Sequence, residues 1–118
     1  MISFSTILTW SVLNAIEVIN MAIGVLIKRV TKHGVDAKVL LPLIVELRSL
    51  AVRQSGYISG ETFFNLDHPE ECVVIGRWTS LEHWRKWKKN KRRIELIESI
   101  EKHLESKAEY NFYGIGLW

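Results

Sequence analysis

The chain has 118 residues, 47% of them apolar, with one cysteine and a formal net charge of +3. That length fits a single domain able to bury about two-thirds of the surface its unfolded chain exposes, so no disulfide or metal staple is required. The lone Cys72 excludes an internal disulfide and suits a reducing, cytoplasmic compartment.

Residues 1–20 (MISFSTILTWSVLNAIEVIN) are apolar but interrupted by Ser3, Ser5, Thr6, Thr9, Ser11 and Asn14. A secretory signal begins with basic residues, yet the first Lys or Arg is Lys28. A membrane span needs about 20 predominantly apolar residues and a basic inner flank. The stretch fits neither pattern, and Met21 offers a start directly before the first patterned strand. Residues 1–20 are therefore expected to be an apolar extension outside the core fold, with contact to a membrane or partner as the alternative. Residues 21–118 form the expected domain.

Ala22 to Val30 (AIGVLIKRV) is short, apolar and β-branched, the composition of a strand. From Asp36, apolar residues recur at 40, 43, 44, 47, 50 and 51, which is helical spacing. Asp36 can cap this helix, Pro42 should loosen its first turn, and Gly56 is the natural left-handed residue after it. Tyr57–Leu66 and Glu71–Thr79 read as a hairpin closed by Asp67-His68-Pro69-Glu70. Thr79 with Glu82 has capping-box spacing, and Ser80 is the alternative cap. Leu81, Trp84 and Trp87 then give one helix face. A break is expected near Asn90, after which Ile94, Ile97, Ile100 and Leu104 continue an apolar stripe. Lys107 to Ile115 (KAEYNFYGI) is the closing strand.

The order β-α-β-β-α-β is the ferredoxin-like arrangement of an α+β domain. Two helical layers' worth of apolar surface would be needed to cover strand three (CVVIGRW), which is nearly continuous in apolar residues, while two helices cover only one face of the sheet. The expected cover for the second face is another copy of the sheet, giving a homodimer.

The runs VLIKR, ELRSLAVRQSGY, SGETFFNLDHPEE and VVIGRWTSLEHWRKW make the chain resemble the antibiotic biosynthesis monooxygenase (ABM) family over roughly Met21 to Gly114. The resemblance implies a dimeric α+β barrel. It also implies a cofactor-independent monooxygenase acting on a small aromatic or quinol-like substrate between helices and sheet. A non-catalytic dimeric module binding an apolar small molecule is the alternative, so enzymatic activity itself stays open. On this resemblance Trp84 and Trp87 are candidate walls, with Asn111 and Tyr113 beside the substrate and His83 and Arg77 as catalytic candidates. The haem-degrading branch carries an Asn on the first strand, a Trp on the helical stretch and a His ten residues later. The matching positions here are Lys28, Trp87 and Ile97, so no haem ligand is implied. No cofactor is expected.

Each candidate also has a purely structural reading. Tryptophans fill small cores, His83 beside Glu82 can be a surface histidine, and Arg77 can pair with Glu61 on the neighbouring strand. His33, His68, His83 and His103 are scattered, so no metal site is expected. Arg85 to Arg93 hold seven basic side chains in nine positions. With Trp87 as a stacking residue this resembles a nucleic-acid groove. Glu95, Glu98, Glu101 and Glu105 follow, however, so the run reads as a solvated helical turn and no nucleic acid is expected as partner.

Overall fold

In IGVLIKRV every second side chain, from Ile23 through Val25 and Ile27 to Arg29, is buried, and the residues between them are partly exposed. Such alternation marks a strand with one tightly covered face. This strand, β1 (Ile23–Val30), is one of two inner strands of the sheet in a computed structural model that describes residues 21–117. The expected extension at residues 1–20 lies outside the described residues.

After β1 come a 3-10 turn (Ala37–Leu40) and the helix α1 (Leu41–Ala51). The strands β2 (Tyr57–Phe64) and β3 (Glu71–Trp78), the helices α2 (Leu81–Lys88) and α3 (Lys91–Glu101), and β4 (Glu109–Gly114) complete the domain. The sheet order is β2-β3-β1-β4, antiparallel throughout. This is the expected α+β, ferredoxin-like chain order, with the second helical stretch divided in two.

Four local expectations are refined. Asp36 does cap, accepting from Lys38 N at 2.8 Å, but what it caps is the 3-10 turn. The α-helix proper begins at Leu41, so Pro42 sits in its first turn, where a missing N–H forfeits no helical bond. The cap of α2 is Ser80, the alternative to Thr79: its Oγ accepts from His83 N at 3.3 Å. The break near Asn90 is a fresh start, since Asn90 Oδ1 accepts from Arg93 N at 3.1 Å and caps α3. That cap resets the helical phase. Arg93, Leu96 and Ile100 face inward, while Ile94, expected in the apolar stripe, is exposed.

All helices pack on one face of the sheet. Trp78, Trp84, Trp87, Val25 and Ile27 form one apolar cluster there, and Leu40, Ile44, Cys72, Ile100 and Leu104 form a second. Gly56, with φ 85, turns the chain from α1 into β2 as expected of a left-handed glycine. The hairpin turn is fixed by Asn65, whose Oδ1 accepts from Asp67 N and His68 N at 2.9 and 3.0 Å. On the far face, the register places Leu26 opposite Ile75 and Phe63 opposite Val73. Among the described residues, no helix is long and apolar enough to cross a membrane.

Candidate functional site

Two glycines meet across the β2–β3 ladder: Gly60 stands opposite Gly76 on the helix side of the sheet. Both border a cavity of about 60 Å³ between sheet and helices. A Cβ on Gly60 would stand 2.7 Å from the Tyr57 hydroxyl and 3.1 Å from Arg48 Nε. One on Gly76 would stand 3.4 Å from Trp78 Nε1. The glycine pair thus makes room where three polar groups converge.

The apolar wall is built from three indoles. Trp78 ends β3 and is 1% exposed. It stacks on Trp87 with ring centroids 6.2 Å apart and meets Trp84 edge-on at 6.1 Å. Trp84 and Trp87 are three residues apart on α2, so both lie on its inner face. Tyr57 closes on Trp78 from β2, edge-on at 5.3 Å. Such aromatic pairs add about 0.5–1.5 kcal/mol each beyond the area they bury.

The polar lining is cationic. Arg29 from β1, Arg48 from α1 and Arg93 from α3 all border the cavity. Arg29 is 2% exposed and its Nε has no hydrogen-bond partner. Burial pushes its guanidinium pKa down, and the neighbouring Arg93 adds to that against the opposing pull of Tyr110 and Cys72. Arg93 donates to the Tyr110 hydroxyl at 3.0 Å and lies 5.1 Å from the centre of the Trp84 ring. Arg48 donates to Thr62 Oγ1 at 2.7 Å. Burial raises the pKa of the Tyr57 hydroxyl, with Arg48 acting in the opposite direction.

The sequence candidates divide between the two faces. Trp84 and Trp87 line the cavity. Arg77, Asn111 and Tyr113 stand on the far face by their register, Asn111 opposite Leu26 and Tyr113 opposite Gly24. Arg77 donates to Glu61 at 2.7 Å, the partner anticipated from the sequence. His83 is outside the cavity lining. Its Nδ1 lies 2.7 Å from Ser80 Oγ and 3.2 Å from Thr79 Oγ1, and its ring covers Gly56 so closely that a Cβ there would be 2.3 Å from His83 Cγ. Arg29, Arg48, Arg93 and Tyr57 line the cavity without being among the sequence candidates. Arg29 had a signal: it falls in phase with Ile23, Val25 and Ile27. Among the described residues, no group of His, Cys, Asp and Glu is placed to hold a metal ion.

No family model matches the sequence, and neither does any curated protein. Solved structures do match. SnoaB, a cofactor-independent oxygenase from Streptomyces nogalater, superposes with a TM-score of 0.72 at 13% identity, over 83% of this chain and 96% of that one. A conserved protein from Methanosarcina mazei gives 0.71 at 21% identity, over 80% and 93%. A structure described as an antibiotic biosynthesis monooxygenase gives 0.70 at 17%, over 80% and 99%. The chain has the ABM fold. At these identities the likeness extends to the arrangement of strands and helices.

Proposed function

We propose that the chain is a cofactor-independent monooxygenase of the ABM type, acting on a small aromatic or quinol-like molecule in the helix-side cavity. The observation that carries this reading is the cavity itself, where an indole wall faces a phenol and guanidinium groups in a largely apolar lining. The presence of a cofactor-independent oxygenase among the structural neighbours supports it. An electron-rich phenolate or enolate can itself reduce dioxygen. In the net change, an activated CH₂ becomes a carbonyl, one oxygen atom enters the substrate and the other leaves as water. The protein's part is to stack the ring on indoles, hold its developing oxyanion with positive groups, and exclude bulk water.

Size constrains the substrate. A cavity holding benzene measures about 150 Å³, against about 60 Å³ here. A ring therefore enters only with part of it in the mouth or with the helices moved outward. The proposed roles pass to Tyr57 and the three arginines, with Trp84 and Trp87 as walls. His83, Arg77, Asn111 and Tyr113 stand outside.

The test is oxygen consumption by metal-free protein with a panel of quinols and anthrones. Uptake that falls about tenfold or more in Trp87→Ala is expected, and no uptake with any compound would overturn the reading. One observation favours non-catalytic binding as the second reading: neither histidine nor carboxylate lines the cavity, leaving the Tyr57 hydroxyl as the group suited to proton transfer. Under that reading, panel compounds raise the melting temperature without oxygen uptake.

We also propose that the far face pairs with a second copy. Leu26, Val73 and Ile75 lie only partly buried there, and Phe63 is 49% exposed. Exposed apolar patches on a sheet face mark interaction sites, and a second copy of the same face is the cover that fits this one. The buried, unpaired Cys72 suits the cytoplasm as the compartment.

A further inference from the structure

Three guanidinium groups from three separate elements border one small cavity, and none is in an ion pair among the described residues. The described carboxylates that do pair serve other cations: Glu61 pairs with Arg77, Glu71 with Lys28, Glu82 with Lys86, and Glu46 and Glu95 with Arg92. Arg93 and Arg48 hydrogen-bond to hydroxyls, which are neutral acceptors. Arg29, at 2% exposure, keeps an unsatisfied Nε. Native proteins pair their buried charges or set them against a ligand, because an uncompensated one is strongly destabilising. The stacking of Arg93 on Trp84 and its bond to Tyr110 explain how one guanidinium is held. They do not explain why a second, Arg29, is placed beside it against mutual repulsion.

We propose that the cavity binds the carboxylate of a small organic acid between Arg29, Arg48 and Arg93, with the acid's apolar part against Trp78, Trp84 and Trp87. Guanidinium forks match a planar carboxylate in bidentate geometry. The chemistry of the lining favours a carboxylate over a phosphate. Ile27, Ile44, Leu47 and Val74 supply apolar contact around the arginines, and a phosphate would leave oxygens facing them. The volume accommodates a carboxylate with a short tail. The inference shares its location with the oxygenase reading and rests on that reading for the place of the site, not for any reaction.

The test is calorimetric titration under nitrogen with acetate and benzoate, with acetamide and benzamide as neutral counterparts and inorganic phosphate as a further arm. The wild type, Arg29→Met and Arg48→Gln are compared. Arg48 is half-buried, so its variant gives a reading even where Arg29→Met does not fold. The carboxylates are expected to bind at least about tenfold more tightly than the amides and than phosphate. Each substitution is expected to weaken carboxylate binding by about tenfold or more, the scale of one charge-assisted hydrogen bond. Equal affinity for acid and amide, tighter binding of phosphate, no binding of either acid, or unchanged acid affinity in the Arg48 variant would each overturn the proposal. Since oxygen is absent, intact carboxylate binding beside a failed oxygen-uptake assay rejects the oxygenase reading alone.

Discussion

On the far face of the sheet Arg77 reaches Glu61 at 2.7 Å and Lys28 stands 4.0 Å from Glu71. On the helix side Arg29 and Arg93 are buried without a carboxylate among the described residues. The same four strands thus carry charge in two ways. Far-face cations neutralise their neighbours at partly exposed positions, where a pair contributes about 0–1 kcal/mol. On the helix side Arg93 is held by the Tyr110 hydroxyl and the Trp84 ring, while Arg29 keeps an unsatisfied Nε. On the proposal made above, these buried positive groups are there for a ligand and not for the scaffold.

The largest effect that separates the two faces is expected at their aromatic residues. Trp78→Ala should lower unfolding free energy by about 3–5 kcal/mol. Phe63→Ala, at a position 49% exposed, should cost less than about 1 kcal/mol in the separated protomer. Urea titration checks both, and equal losses would erase the distinction. Next comes association: Ile75→Lys on the far face should leave the fold intact and convert a dimer to a monomer, read by light scattering. A wild-type protein already monomeric at micromolar concentration would contradict that assignment.

A smaller effect concerns pH. Burial raises the pKa values of Cys72 and Tyr57, both on the helix side, above their ordinary 9.0 and 10.0. In the unfolded chain these groups lose their protons first, so the unfolded state gains stability as pH rises through those ordinary values. Stability is therefore flat below about pH 8 and falls from pH 9 upward as far as these two groups are concerned. Cys72→Ala should flatten the first part of that fall in urea melts, and an unchanged slope would remove the thiol from the account. The smallest effect is expected at Arg77→Gln, which should change stability by less than about 1 kcal/mol and lessen any dependence on salt.

Much of the scaffold was legible in the residues. The short β-branched run of β1, the leucine spacing of α1 and the left-handed position of Gly56 are local signals, and the chain order of strands and helices follows from them. The site was less legible because its residues are brought together by register and phase. Gly60 and Gly76 are ordinary strand glycines until β2 and β3 set them opposite each other. Arg93 is hidden in a basic run whose other members are exposed, and only the cap at Asn90 turns it inward. Tyr110, Phe112 and Tyr113 put aromatic rings on both faces of β4, so pattern alone could not assign Asn111 and Tyr113 to the far face. Pairing with Leu26 and Gly24 does.

The claim that the helix-side cavity, and not the far face, receives the small molecule is tested most directly by ¹H–¹⁵N correlation spectra during titration with benzoate. The account predicts saturable shifts in the indole N–H signals of Trp78, Trp84 and Trp87 and in the amides of Gly60 and Gly76, with the amides of Leu26, Ile75 and Tyr113 unmoved. Shifts concentrated at Leu26, Ile75 and Tyr113, or no saturable shift at the indoles, would contradict it.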